Sequence, residues 1–187
     1  MSMPFESALV VLIPEAESLV KSFRDQYDPS AAVGVPAHVT ILYPFKSPAE
    51  VTAEVISTLR DLISGQPSFT VSFQEFQEFP DTLFLAPKPA EPFRKLIETI
   101  VERYPETPPY GGVFKQIVPH LTVAQAGDIQ GLDEIANEFR AVARKKLPIL
   151  VRVNTVSLLD NSNGSWKVRA QFSLGPGQGE PVKPLGS

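Results

Sequence analysis

The sequence predicts an α+β protein built from two similar lobes, and three observations carry that expectation. Strand-length apolar or alternating runs are interleaved with segments of helical spacing along most of the 187 residues. The order helix, loop, proline-led strand, helix occurs twice. Each of those two strands holds the same word, His-apolar-Thr: His38-Val39-Thr40 and His120-Leu121-Thr122, 82 residues apart.

The apolar run "ALVVLI" before Pro14 has strand length, and from Pro14 the spacing of Leu19, Val20, Phe23 and Tyr27 turns helical. "DPSAAVGVPA" reads as a loop, and the His38 strand follows. In "SPAEVTAEVISTLRDLISG", Ser47 is placed as N-cap, Pro48 at the first helical position and Glu50 as the closing residue of a capping box. Val51, Val55, Leu59, Leu62 and Ile63 form its apolar face, and Gly65 is the expected stop. Two strands are expected over 68–86 around "EFPDT", with Phe69, Val71 and Phe73 on one side. A third helix runs from about Glu91 to Arg103. The Pro- and Gly-rich segment "YPETPPYGGVFKQIV" leads to Pro119 and the second motif. Asp128 is expected to cap a fourth helix whose core side is Leu132, Ile135, Ala136, Phe139 and Val142. Two closing strands, "LPILVRVNTVSLLD" and "WKVRAQFSLG", flank the turn "NSNG". A bilobal domain over 1–174 and a disordered tail over 175–187 complete the expectation.

Composition narrows the function classes. Hydrophobic residues make up 43% and charged residues 20%, an ordinary globular balance that argues against wholesale disorder. The net charge is −4 and the longest basic run is "RKK" at 144–146, which favours a small substrate or a strand end over a long polyanion. There is no cysteine, so disulfides, thiolate catalysis and zinc–sulfur sites drop out together. No apolar stretch approaches membrane-spanning length, and "ALVVLI" lacks a basic leader, so a cytoplasmic protein without membrane association is expected.

The two histidines are the only ones in the chain. A strand histidine is most often a partly buried residue with a satisfied ring. Threonine fills nine of 187 positions, so both histidines having one at +2 by chance is on the order of one in 400. In a strand, residues i and i+2 share a face about 7 Å apart. His38 and Thr40 therefore point together while Val39 and Ile41 face the core, and His120 and Thr122 do the same with Leu121 and Val123 inward. Two such strands side by side make a cleft of two imidazoles and two hydroxyls. A neutral imidazole can take a proton from an attacking water while a protonated one gives a proton to the departing oxygen. Threonine hydroxyls can donate to non-bridging phosphate oxygens. The scarcity of ligands makes a metal site a weak alternative, a two-histidine, one-carboxylate iron site being its most plausible form.

Other candidates have two readings each. Tyr43 and Phe45 can stack on a base or pack where the strand leaves the sheet. Tyr110, Phe114 and Lys115 fall where a cleft rim would lie, and Lys115 can neutralise phosphate or be solvated. Trp166, the only tryptophan, is a stacking platform or an ordinary hairpin residue. Glu15, Glu17, Asp133 and Glu134 read as helix-start charges.

"HVTILYPF" together with "PHLTVAQ" resembles the 2H phosphoesterase superfamily, within it the bacterial 2′-5′ RNA ligase-like group, and the order of elements follows that family to about residue 174. The resemblance implies a bilobal α+β fold with pseudo-twofold symmetry, antiparallel sheets lining a central cleft and helices outside. It implies metal-independent, cofactor-free cleavage of a 2′,3′-cyclic phosphate or 2′-5′ phosphodiester, with His38 and His120 as acid and base and Thr40 and Thr122 binding phosphate. Tyr43, Lys115 and Trp166 are the further substrate-binding candidates. The expected partner is a nucleotide with a cyclic phosphate or an RNA terminus, bound by a monomer. Reversible 2′-5′ ligation and a nucleotide- or RNA-binding module without turnover are the alternatives. The order of acid and base is open at this point.

Overall fold

The computed structural model describes residues 5–114, 116–127 and 129–177. In chain order the elements are β1 (Ser7–Leu12), α1 (Pro14–Tyr27), α2 (Pro29–Ala32), β2 (His38–Leu42), α3 (Ala53–Ser64), β3 (Phe69–Glu78), β4 (Thr82–Lys88), α4 (Glu91–Arg103), β5 (Leu121–Gln125), α5 (Ile129–Ala143), β6 (Ile149–Val153), β7 (Thr155–Asp160) and β8 (Lys167–Ser173). A 3-10 turn, Pro109–Gly112, lies between α4 and β5.

The strands form two four-stranded sheets, ordered β2-β1-β7-β8 and β5-β4-β3-β6, and every neighbouring pair is antiparallel. The unit β1-α1-β2-α3 corresponds to β4-α4-β5-α5, so β2 and β5 are equivalent edge strands. The correspondence extends to an irregularity. Leu9 pairs with Leu42 but Val10 with Thr40, which leaves Ile41 as an extra residue. In the other half Leu83 pairs with Ala124 but Phe84 with Thr122, which leaves Val123. Each edge strand thus bulges one residue after its threonine. Ile41 and Val123 are both buried, and in the first half the bulge turns Leu42 into the core and Tyr43 out of it.

The helices knit the halves together by crossing over. α1, which follows β1, packs on β5 and β6 of the other sheet, and α4 packs on β2. One continuous core results, in which Phe139 of α5 meets Phe23 of α1 edge-on at 5.2 Å and Phe76 of β3 at 5.5 Å. From Ala8 to Leu12 β1 is apolar because both its faces are covered: Leu9 and Val11 enter that core, while Ala8 and Val10 join a second, smaller cluster with Val35 and Leu159.

Several expected boundaries shift for local reasons. The third helix in chain order begins at Ala53 with Thr52 as its cap, its hydroxyl accepting from Val55 N. Ser47 and Glu50 instead close a separate turn, in which the Glu50 carboxylate accepts from both the Ser47 amide and hydroxyl. The loop after α1 contains α2, initiated by Asp28 accepting from Ser30 N. "LPILVRVNTVSLLD" is two strands, β6 and β7, which belong to different sheets, so the chain changes sheet at Asn154. Val142 is exposed and Ala143 takes its place in the core. Gly175 N donates to Gln66 O, and Gly175 O accepts from Ser68 N. The expected Asp128 cap and residues 178–187 lie outside the described residues.

Phe139 is fully buried and joins α5, α1 and β3 through its ring. Phe139→Ala is expected to destabilise the protein by about 3–5 kcal/mol, read as a lower urea midpoint at unchanged slope. A loss under about 1 kcal/mol would show that the core closes without it.

Candidate active site

β2 and β5 approach each other across the pseudo-twofold axis, and their outward faces open on one cavity of about 600 Å³ that His38, Thr40, His120 and Thr122 all line. Alternation within the strands places them there. Val39 and Leu121 are fully buried, whereas the four motif side chains are half-buried on the cleft side. His120 lies one residue ahead of β5 instead of within it.

The two imidazoles are anchored alike. His38 Nδ1 is 2.7 Å from the carbonyl oxygen of Pro36, and His120 Nδ1 is 2.7 Å from that of Val118. A carbonyl can only accept, so Nδ1 carries the proton in each ring. Nε2 is left as the nitrogen available to the cleft, an acceptor when the ring is neutral and a donor when it is charged.

Their surroundings differ. Burial pulls His38 down to about 4, against the opposing pull of the Pro36 carbonyl; the positive charges of Arg24 and of His120 push the same way as burial, and Asp28 opposes them. His120 is also lowered by burial, partly offset by the Val118 carbonyl. Its ring is braced edge-on by Phe79 at 5.3 Å and by Phe84 at 5.5 Å. No sequence pattern marked either phenylalanine.

Behind His38 lies a buried clamp. Arg24 donates from Nε to Asp28 Oδ2 at 2.9 Å and from Nη2 to the Val35 carbonyl at 3.0 Å. Glu17 Oε1 accepts from Ala37 N at 2.7 Å. Both sides of the Pro36 peptide, whose carbonyl orients His38, are therefore held by side chains from α1. Glu17 is more than a helix-start charge. The i, i+4 placement of Arg24 and Asp28 was the legible signal for the buried pair.

Tyr110 closes the other side. Its amide donates to Tyr43 O at 2.6 Å, a hydrogen bond links its hydroxyl to Thr40, and its backbone is held at φ 51°. A tyrosine in the left-handed region is strained by about 1–3 kcal/mol, and here its side chain lies against a motif threonine. Tyr43 lines the cleft, its hydroxyl donating to Glu6 Oε2 at 2.7 Å, whereas Phe45 is core. Trp166 lines the same cleft, with its ring edge-on to Tyr43 at 6.1 Å. Phe114 is exposed and packs on Tyr110, while Lys115 lies outside the described residues. Among the described residues no group of three or more His, Asp or Glu is placed to hold a metal, and no helix is long and apolar enough to cross a membrane.

Because His38 takes up a proton less readily folded than unfolded, the unfolded chain binds more protons between about pH 4 and 6.5. Stability is therefore expected to fall as pH is lowered through that window. His38→Gln should reduce the slope in urea titrations, and an unchanged slope would contradict the assignment.

A sequence profile described as the 2′-5′ RNA ligase superfamily matches residues 13–165. A Bacillus pumilus protein named "Putative phosphoesterase" is 31% identical over 173 residues, 89% of this chain and 96% of its own. Among solved structures, TT0787 of Thermus thermophilus aligns with a TM-score of 0.60 at 18% identity, over 91% of this chain and 98% of that one. Escherichia coli LigT complexed with 3′-AMP aligns with a TM-score of 0.59 at 17% identity, over 92% and 99%. The twice-used His-apolar-Thr strand, the paired sheets and these likenesses agree: the chain belongs to the 2′-5′ RNA ligase superfamily of 2H phosphoesterases.

Proposed function

We propose that the protein is a metal-independent phosphodiesterase that hydrolyses a 2′,3′-cyclic phosphate or a 2′-5′ phosphodiester, in a nucleotide or at an RNA end. The observation that carries this reading is the matched anchoring of both imidazoles, which leaves two Nε2 atoms and two threonine hydroxyls on a single cavity. The structures of E. coli LigT with 3′-AMP, ATP and NADP+ support a nucleotide as the ligand class.

In hydrolysis, neutral His38 takes a proton from water as the water oxygen bonds to phosphorus. The bond from phosphorus to the departing 2′ or 3′ oxygen breaks, and protonated His120 gives that oxygen its proton. Thr40 and Thr122 donate to the non-bridging oxygens as their charge grows. Proton exchange with solvent resets the pair. His38 suits the base because Arg24 and burial both hold it neutral at pH 7. The anionic phosphate favours the charged form of His120 once substrate is present. Because the two imidazoles supply both proton transfers, turnover is expected to persist in EDTA.

Phosphorus NMR with a 2′,3′-cyclic nucleotide in EDTA tests this directly. The wild type should convert the cyclic signal to a monoester, while His38→Ala and His120→Ala should each lose at least about 10²-fold in rate. Full turnover by either variant would overturn the mechanism.

A further inference from the structure

On the first sheet the cleft side of β1 and its N-terminal extension presents Glu6, Ala8 and Val10 in alternation. Val10 is paired with Thr40, so the row begins beside the first motif. Ala8 and Val10, with Leu159, which is paired with Ala8, are buried but form the apolar floor of the cavity that the four motif residues also line. Val33 and Val35 pack on this floor, as do Tyr43 and Trp166. Trp166 N donates to Val33 O at 3.0 Å, which joins the α2–β2 segment to the β7–β8 turn over the slot. Gly34, at φ +98°, permits that closeness, since a Cβ there would lie 3.3 Å from Trp166 O. The far end of the slot is a carboxylate. Glu6 N donates to Asn161 Oδ1 at 2.7 Å, and Glu6 Oε2 accepts from Tyr43 at 2.7 Å.

Neither the phosphate chemistry nor the family resemblance requires an acid at that end. From Val10 to Glu6 the chain spans four residues, about 13 Å at strand rise, which matches the reach of one nucleotide from phosphate to base edge. We propose that the apolar slot takes the base of the substrate nucleotide and that Glu6 reads it as guanine. The inference rests on the phosphodiesterase reading for where the phosphate sits. The chemistry of base edges selects among the four. A carboxylate accepts several hydrogen bonds and donates none, and Tyr43 uses only part of that capacity. Guanine alone offers two adjacent donors, N1–H and the 2-amino group, to such a group. Adenine and cytosine set a ring-nitrogen acceptor beside their amino group, and uracil flanks its one N–H with two carbonyls, so each would put a lone pair against the carboxylate. Trp166 and Tyr43 supply aromatic surface for any base, so the discrimination falls on Glu6.

The test compares kcat/KM for 2′,3′-cyclic GMP and 2′,3′-cyclic AMP, together with calorimetric binding of guanosine and adenosine 3′-monophosphates. It uses the wild type, Glu6→Gln and Tyr43→Phe, each checked for an undiminished melting temperature. The wild type should favour guanine by at least about tenfold, as a bidentate base contact does. Glu6→Gln should bring that ratio close to one, and Tyr43→Phe, which keeps the carboxylate, should retain the guanine preference. Equal turnover of both cyclic nucleotides by the wild type overturns the inference and leaves the phosphodiesterase intact. A guanine preference in binding without turnover does the reverse. Failure of both monophosphates to bind, or a preference that survives in Glu6→Gln, overturns it.

Discussion

The site depends on a short hydrogen bond made twice: an imidazole Nδ1 to the carbonyl two residues before it. Without that bond a histidine at the head of a strand can rotate and can carry its proton on either nitrogen. With it, one tautomer and one ring plane are selected, and Nε2 is the nitrogen left to the cleft. The bond demands a rigid approach to each histidine. In both halves a proline stands within two residues upstream, Pro36 and Pro119, where its fixed φ restricts the backbone. On the first side the restriction is reinforced by Arg24 and Glu17, which hold the flanking peptides. A buried arginine–aspartate pair is weak evidence of stabilisation in itself, because desolvation offsets much of its attraction. Its position against the Pro36 peptide gives it a geometric purpose.

Edge strands carry the whole constellation, and that choice has consequences. An unpaired edge is ordinarily a liability that a protein must blunt. Here the two edges face one another across the pseudo-twofold axis, and each bulges immediately after its threonine. In the first half Ile41 stays in the core and the bulge turns Leu42 into it as well. Alternation alone would have sent Tyr43 inward with Ile41. The extra residue sends it to the cleft, where it meets Trp166 and Glu6.

That bulge also explains the limits of what could be read from residues alone. The two motifs, the side their residues face and the helices α1 and α4 followed from period and spacing, because each depends on neighbours within the same segment. Tyr43 was ambiguous because its direction depends on a register set by β1. "LPILVRVNTVSLLD" carries an uninterrupted strand pattern, and only the partners β3 and β1, far away in sequence, divide it at Asn154. Ser47 and Glu50 form a hydrogen-bonded turn much like a capping box, yet Thr52 caps the helix. Local chemistry identified the right partners there and misplaced what they begin. Phe79 and Phe84 reach the site through tertiary contacts that leave no periodic trace, whereas Tyr110, expected at a cleft rim from its loop position, does line the cleft.

The symmetry of the fold and the asymmetry of the site answer different needs. In the proposed reaction two equivalent His-apolar-Thr strands would place matched donors around one phosphate, but a perfectly symmetric pair could not distinguish the attacking oxygen from the leaving one. The differences lie next to the motifs: a charged clamp and the Tyr110 hydroxyl on the side of His38 and Thr40, and two phenylalanine rings on the side of His120. The apolar slot is also confined to the first sheet. A nucleotide bound there as proposed would present its phosphate in one orientation only, so the side that takes the base would also determine which imidazole meets the water. Direction in the proposed reaction therefore arises from where the two halves diverge, while the capacity for the reaction arises from where they agree.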